Sequence, residues 1–408
     1  MSNFQQYWTE AKRLINDNHF YGYSESSSFA YELRLLREGI EDHLLETDPE
    51  SSLKISGKII RSDGTLIEKV DDSDGSVGYE LNSFCVLWLE AAALCPVPEK
   101  GWISQITKIA DGDEYGCRND FLLNIQILLS TKDMQSLYDY YKERFTGNIG
   151  GPSSHYIFAN AVNMGQVAKA MGNPELYEES VRIHSKKLNN MQLLDILSFY
   201  LEQNRLDYVL QKIETTVWEE RFQPEMLSLK EKVFQKKGDP EALKEIHKQQ
   251  FMHFRSADKL KIYLKNLDNE SRNAAIDEAL EYATEDSDLV RGLEILLDYH
   301  HYEKALMLIL QKKDEFNNTF YGSLLGLLKQ LHGEQQFYLE ILIYRALLSD
   351  ILNRAYSKAY SYAADYYRNL VRLDKKIEVY PEKMESHESF MEEIRAKHFR
   401  KRSFWKRV

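Results

Sequence analysis

Between residues 176 and 306 the apolar positions recur in pairs, Leu176-Tyr177, Val209-Leu210, Ala242-Leu243, Ala275-Ile276 and Ala305-Leu306, at intervals of 33, 33, 33 and 30 residues. Turn-like residues precede several of them, in MGNPE, QNRLD and KGDPE. A period in the low thirties is the length of a two-helix unit of the tetratricopeptide kind, which buries its apolar face only against neighbouring units. The full pattern of Trp, Gly, Tyr, Ala and Pro is met in no unit. Spacing alone therefore carries the expectation of an irregular α-solenoid of helical hairpins over a compact irregular bundle.

Three stretches share one helix-start grammar: Asp48-Pro49-Glu50, Asn173-Pro174-Glu175 and Asp239-Pro240-Glu241. In each, Asp or Asn can cap free amides, proline suits the first helical position, and Glu meets the positive end of the dipole. Gln223-Pro224-Glu225 is a weaker fourth, because Gln caps poorly.

Residues 53–70 read as a helix weakened by Gly57, although a hairpin around Asp63-Gly64 fits the same apolar runs. The glycines and proline of TGNIGGPSSH, 146–155, mark a boundary. The organisation expected is an N-terminal helical layer over 1–148, a solenoid over 149–334, and helices with a basic tail over 335–408.

Eight prolines, nineteen glycines and 43% hydrophobic residues suit an ordered all-α chain. Cys85, Cys95 and Cys117 have no C-x-x-C spacing, so they predict reduced thiols, with Cys85 in a core, and neither zinc nor disulfides. The opening MSNFQQYWTEAKRL lacks an apolar stretch behind a basic start, and even CVLWLEAAALC contains Glu90, so neither a secretory signal nor a membrane span is expected. A soluble cytoplasmic protein follows as the expectation.

Asp71-Asp72-Ser73-Asp74-Gly75 invites a calcium reading, but an EF-hand loop with Gly75 at its sixth position would have Val70 first and Leu81 twelfth, neither a ligand. Asp71, Asp72 and Asp74 could still hold magnesium. Leu81, Cys85, Trp88, Leu89 and Ala92 form one helical stripe after the turn, which favours Asp74 as its N-cap. Asp71 and Asp72 are then expected to pair with basic residues elsewhere.

VDDSDGSVGYEL, YRALLSDILNRAYSKAYSYAADYYRNL and KHFRKRSFWKRV, in that order, resemble the helical region of bacterial SWIM zinc-finger proteins and a related uncharacterised bacterial family that ends the same way. The resemblance covers about 70–145 and 335–408. The SWIM finger, C-x-C followed by C-x-H, is absent. The resemblance implies a helical-repeat region of unknown biochemical role. Within the second segment, Leu352, Tyr356, Tyr360, Ala363, Tyr367 and Leu370 predict one amphipathic stripe, with Arg354, Lys358 and Arg368 off it.

No phosphate loop, dinucleotide fingerprint, H-E-x-x-H or G-x-S-x-G occurs. His300-His301 read as a solvated turn, and nothing in the sequence requires an enzyme, a cofactor or a small-molecule substrate. The remaining chemistry lies at 395–407, RAKHFRKRSFWKR, where seven cations close a chain of net charge −12. Arg395, Lys397, Arg400, Lys401, Arg402, Lys406 and Arg407 could contact phosphates while Phe399, Phe404 or Trp405 stack on bases. Alternatively they complement a helix C-terminus and an acidic groove of the protein itself, with Phe404 and Trp405 filling an apolar pocket. The function expected is a non-catalytic scaffold or adaptor for a protein partner. The alternatives are a nucleic-acid-associated accessory protein using the tail, or a metal-dependent hydrolase at the acidic turn.

Overall fold

A computed structural model describes residues 2–146, 154–285 and 288–408. The chain is all-α among these residues; the one extended pairing is an isolated parallel bridge between Tyr21 and Val70. Two compact units, Met1–Phe222 and Gln223–Val408, emerge from the contacts. The boundary expected at 148/149 lies outside the described residues.

The first unit holds α1 (Asn3–Asn16), α2 (Tyr23–His43), α3 (Pro49–Ile60), α4 (Asp63–Ile67), α5 (Ser76–Leu94), α6 (Gly101–Ala110), α7 (Thr131–Thr146), α8 (Ser154–Ala170), α9 (Pro174–His184), α10 (Asn190–Glu202) and α11 (Leu206–Thr215). Its hub is α5, which packs on α2 and α3. Phe84, Cys85, Leu87, Trp88 and Leu89 are all buried there, as befits a helix apolar on nearly every side. Trp88 meets Trp102 and Phe121 edge-on. A Cβ at Gly57 opposite it would stand 3.1 Å from the Trp88 Nε1, so the indole would have to give by a few tenths of an ångström. Glu80 of α5 is buried because Arg34 and Arg37 of α2 both bond its carboxylate. Buried Lys69 donates from Nζ to the carbonyls of Leu14, Ile15 and Asp17, closing the end of α1.

The second unit holds α12 (Gln223–Lys237), α13 (Pro240–Phe254), α14 (Ala257–Leu264), α15 (Asn269–Glu285), α16 (Leu289–Asp298), α17 (Tyr302–Gln311), α18 (Lys313–Asn317), α19 (Tyr321–Gln330), α20 (Phe337–Asn353), α21 (Tyr360–Asp374), α22 (His387–His398) and α23 (Arg402–Trp405). Its core centres on α16 and α20, and α21 packs on α20 while also carrying α22 and α23.

The three strong start signals all begin helices. Asp48, Asn173 and Asp239 accept from the amides of Ser51, Leu176 and Ala242 at 3.2, 3.0 and 3.0 Å, each with proline leading the helix. Gln223 opens α12 after a short 3-10 turn. The hairpin considered at Asp63-Gly64 does not form: α3 ends at Ile60 and Asp63 starts α4.

The five evenly spaced apolar pairs fall on α9, α11, α13, α15 and α17, every second helix. A regularity absent from the sequence reading accompanies them. Gly172, Asn204, Gly238 and His300, which precede α9, α11, α13 and α17, all take left-handed φ values. At each, the amide of the left-handed residue donates three residues back and the next amide five back, at 2.8 to 3.2 Å. That is the Schellman closure, which satisfies the last carbonyls of one helix and reverses the chain into the next. The pairs α8 and α9, α10 and α11, α12 and α13, and α16 and α17 pack against each other across these turns.

The same closure overturns part of the predicted tyrosine stripe. Ala355 has φ +54, and Tyr356 donates to the Ile351 carbonyl, so the chain turns after α20. Leu352 stays on α20 and Tyr356 stands exposed in the connection, while Tyr360, Ala363, Tyr367 and Leu370 share α21. No Gly or Pro announces this break.

Candidate functional site

The acidic turn is a helix start built differently from expectation. Gly75, φ +73, is the cap residue of α5, displacing Asp74 from that role. Asp72 accepts from the amides of Val77 and Gly78 at 2.8 and 2.9 Å, and Asp74 accepts from Ser76 at 3.1 Å. These amide bonds hold the Asp74 carboxyl below its ordinary range. Asp71 bonds the amide and hydroxyl of Ser73. Among the described residues neither Asp71 nor Asp72 makes the ion pair expected of it, because backbone donors lie nearer. Among the described residues no group of three His, Cys, Asp or Glu stands ready to hold a metal ion.

The buried charges Asp63 and Arg118 of the first unit are paired with each other. Arg118 donates two 2.7 Å bonds to Asp63, both side chains being buried, and a third bond to the Ile109 carbonyl. The cysteines are free thiols; burial pushes Cys85 up and Cys117 up to about 11, far from a reactive thiolate. His300 in its left-handed turn contacts the Tyr302 hydroxyl, which donates to Glu334.

The basic segment 395–407 divides by residue. Phe404 is 0% exposed, among the rings of Tyr360 and Tyr367 of α21. Trp405 is half-buried and donates from Nε1 to the His398 carbonyl at 2.9 Å, and Arg368 donates to the Arg407 carbonyl at 2.9 Å. Upstream, buried Arg345 of α20 donates to the Glu385 carbonyl and lies 4.8 Å from the Phe390 ring, tying down the start of α22. The two aromatics are thus packed against α21 and are not free to stack on bases.

The cations behave otherwise. Arg395, Lys397, Arg400, Arg402, Lys406 and Arg407 are exposed and Lys401 is half-buried. Among the described residues none of the seven forms an ion pair. Among the described residues no acidic side chain receives them in an ion pair, as an acidic groove of the protein would. Phe399 remains open to solvent, with the Arg400 guanidinium 5.3 Å from its ring.

Sequence reasoning missed a groove in the second unit of about 440 Å³, walled by Tyr321, Leu325, Ile351, Tyr356, Tyr362 and Tyr366. Tyr362 is 62% exposed and Tyr356 51%. Phe320 extends the patch beside Tyr321, and Tyr344 lies behind Tyr366 with the two rings tilted to each other. Arg354 on its rim is paired with Asp350. The signal was available in the offset of Tyr362 and Tyr366 from the buried α21 stripe, but it needs the turn at Ala355 to bring Tyr356 alongside.

Residues 166–407 match the model of a family of unknown function, DUF6880. No curated protein and no solved structure matches the chain.

Proposed function

The chain belongs to that family of unknown function, and we propose that it is a non-catalytic helical-repeat scaffold or adaptor that holds a protein partner in the tyrosine groove of its second unit. The observation carrying this proposal is the groove. Soluble proteins seldom leave adjoining rings such as Phe320, Tyr321, Tyr356 and Tyr362 in water unless something covers them. Its ring faces suit apolar side chains, while the hydroxyls of Tyr321, Tyr356 and Tyr362, unbonded among the described residues, can donate to peptide carbonyls. An extended segment of the partner is the occupant that uses both.

The recurring left-handed turns at 172, 204, 238 and 300 support an irregular solenoid of tetratricopeptide-like hairpins. With that goes kinship to the helical region of SWIM zinc-finger proteins. The free thiols accord with a reducing compartment such as the cytoplasm. The acidic turn is left out because its carboxylates serve the start of α5.

The test compares proteins retained by the wild-type chain and by a Tyr356→Ala/Tyr362→Ala variant, both nuclease-treated. Both side chains are exposed, so the variant keeps its melting temperature. A protein retained by the wild type and lost from the variant is expected; identical retained sets overturn the proposal.

A further inference from the structure

We propose a second site, independent of the groove: the face formed by residues 395–407 binds nucleic acid, gripping the phosphate backbone and stacking an unpaired base on Phe399.

The first observation is a surplus of charge with no internal use. One or two cations suffice to complement the negative end of α22, each worth about 0.3–1 kcal/mol. This segment carries seven within thirteen residues, and none forms an ion pair among the described residues. Crowded like charges repel, so their concentration points to an external polyanion. Glu392 and Glu393 stand three and four residues before Arg395 and Lys397 on α22 and share a face with them, so the basic surface rests chiefly on the five cations from Arg400 onward.

The second observation is rigidity. Phe404 against Tyr360 and Tyr367 and the Arg368 bond to Arg407 fasten the segment to α21, and the Trp405 bond to His398 closes it on the end of α22, while six of the seven cations stay exposed. A pinned array loses less conformational freedom on binding than a loose tail. The cations are spread over the end of α22, the turn at 399–401 and α23, so they present several positions to a phosphate backbone.

The third observation separates nucleic acid from an acidic protein. Phe399 is 64% exposed in the middle of the cations, with Arg400 against its ring. An exposed ring among guanidinium groups is what base stacking requires, and a carboxylate-rich partner has no use for it. The rest of the chain is more acidic than the whole by these seven charges, so binding is confined to this face.

The experiment uses the purified full chain and short fluorescent single-stranded DNA and RNA, read by anisotropy between about 50 and 200 mM salt. If about five cations engage phosphates, the logarithm of the affinity falls against that of salt with a slope of roughly −3 to −4. Reversing Lys397, Arg400 and Lys406 to Glu is expected to weaken binding more than tenfold. Phe399→Ala should weaken it severalfold without changing the salt slope. All four positions are exposed, so melting temperatures stay unchanged. Failure of the folded wild type to bind, or binding indifferent to the reversal, overturns the proposal. So does competition by polyglutamate as effective as by an oligonucleotide of equal charge, which would assign the face to an acidic protein. A Tyr356→Ala/Tyr362→Ala variant should bind oligonucleotide normally, which keeps this test separate from that of the groove.

Discussion

Truncating Phe404 probes whether the basic segment is part of the folded core of the second unit. The ring is 0% exposed and stands 6.1 Å from Tyr360, 6.4 Å from Tyr367 and 4.9 Å from Trp405, all edge-on. Removing a phenyl group from such a site costs about 3–5 kcal/mol in lost transfer energy and unfilled space. The lower part of that range applies here, because Trp405 is only half-buried and can lean into the space. Domains of this size hold roughly 5–15 kcal/mol, so the loss is a large fraction of the total. Urea unfolding of Phe404→Ala should show a lowered midpoint at unchanged slope. Trypsin, which cuts after Lys and Arg, gives a second readout: a loss of about 3 kcal/mol multiplies the open population more than a hundredfold. Phe399→Ala, at an exposed ring five residues away, should stay within about 0.5 kcal/mol of wild type. If Phe404→Ala costs under about 1 kcal/mol and leaves the trypsin rate unchanged, the packing of 402–405 against α21 is wrong.

At the acidic turn, Asp72→Ala should cost about 1–2 kcal/mol in urea unfolding and Asp74→Ala less, since Asp72 bonds two amides of α5; the reverse order would restore Asp74 as the principal cap. Asp63→Ala strands the buried Arg118 charge and should cost about 3–5 kcal/mol, most of it recovered when Arg118→Met is added, whereas equal losses in single and double variants would refute a buried pair. Burial holds both His387 and His398 below the ordinary imidazole value of 6.5. The unfolded chain takes up these protons first, so stability is full above about pH 6.5 and falls as the pH drops from there toward the folded-state values. Unfolding at about pH 7.5 and about pH 5.5 should show the decline, and a His387→Asn/His398→Asn variant should flatten it; an equal decline in that variant assigns the effect elsewhere.

The helix class was legible because the signals are local. Asp48-Pro49, Asn173-Pro174 and Asp239-Pro240 satisfy amides within three residues, so cap and helix start can be read together. Apolar pairs marked alternate helices for a similar reason. Left-handed turns filled by Gly172, Gly238 and Asn204 are visible in principle, since Gly and Asn take that conformation most readily, but His300 and Ala355 occupy it with weaker or no signal in residue type. Their φ follows from hydrogen bonds back to the preceding helix. That is why the break before Tyr356 went unread and, with it, the tyrosine groove. Asp71 and Asp72 failed for another reason: charge alone suggested basic partners, while Ser73 beside it took Asp71 and two amides of the next helix lay within 3 Å of Asp72. For the basic segment composition exposed both alternatives, and only burial separates Phe404 and Trp405 from the free cations and Phe399.

The most direct test of the scaffold reading is quantitative: nuclease-treated retention of proteins by the wild-type chain, by Tyr356→Ala/Tyr362→Ala, and by the chain with Lys397, Arg400 and Lys406 reversed to Glu. The account predicts at least one protein held by the wild type and the charge-reversed variant and released by the groove variant. Retention of that protein by all three, or its loss only on charge reversal, would contradict it.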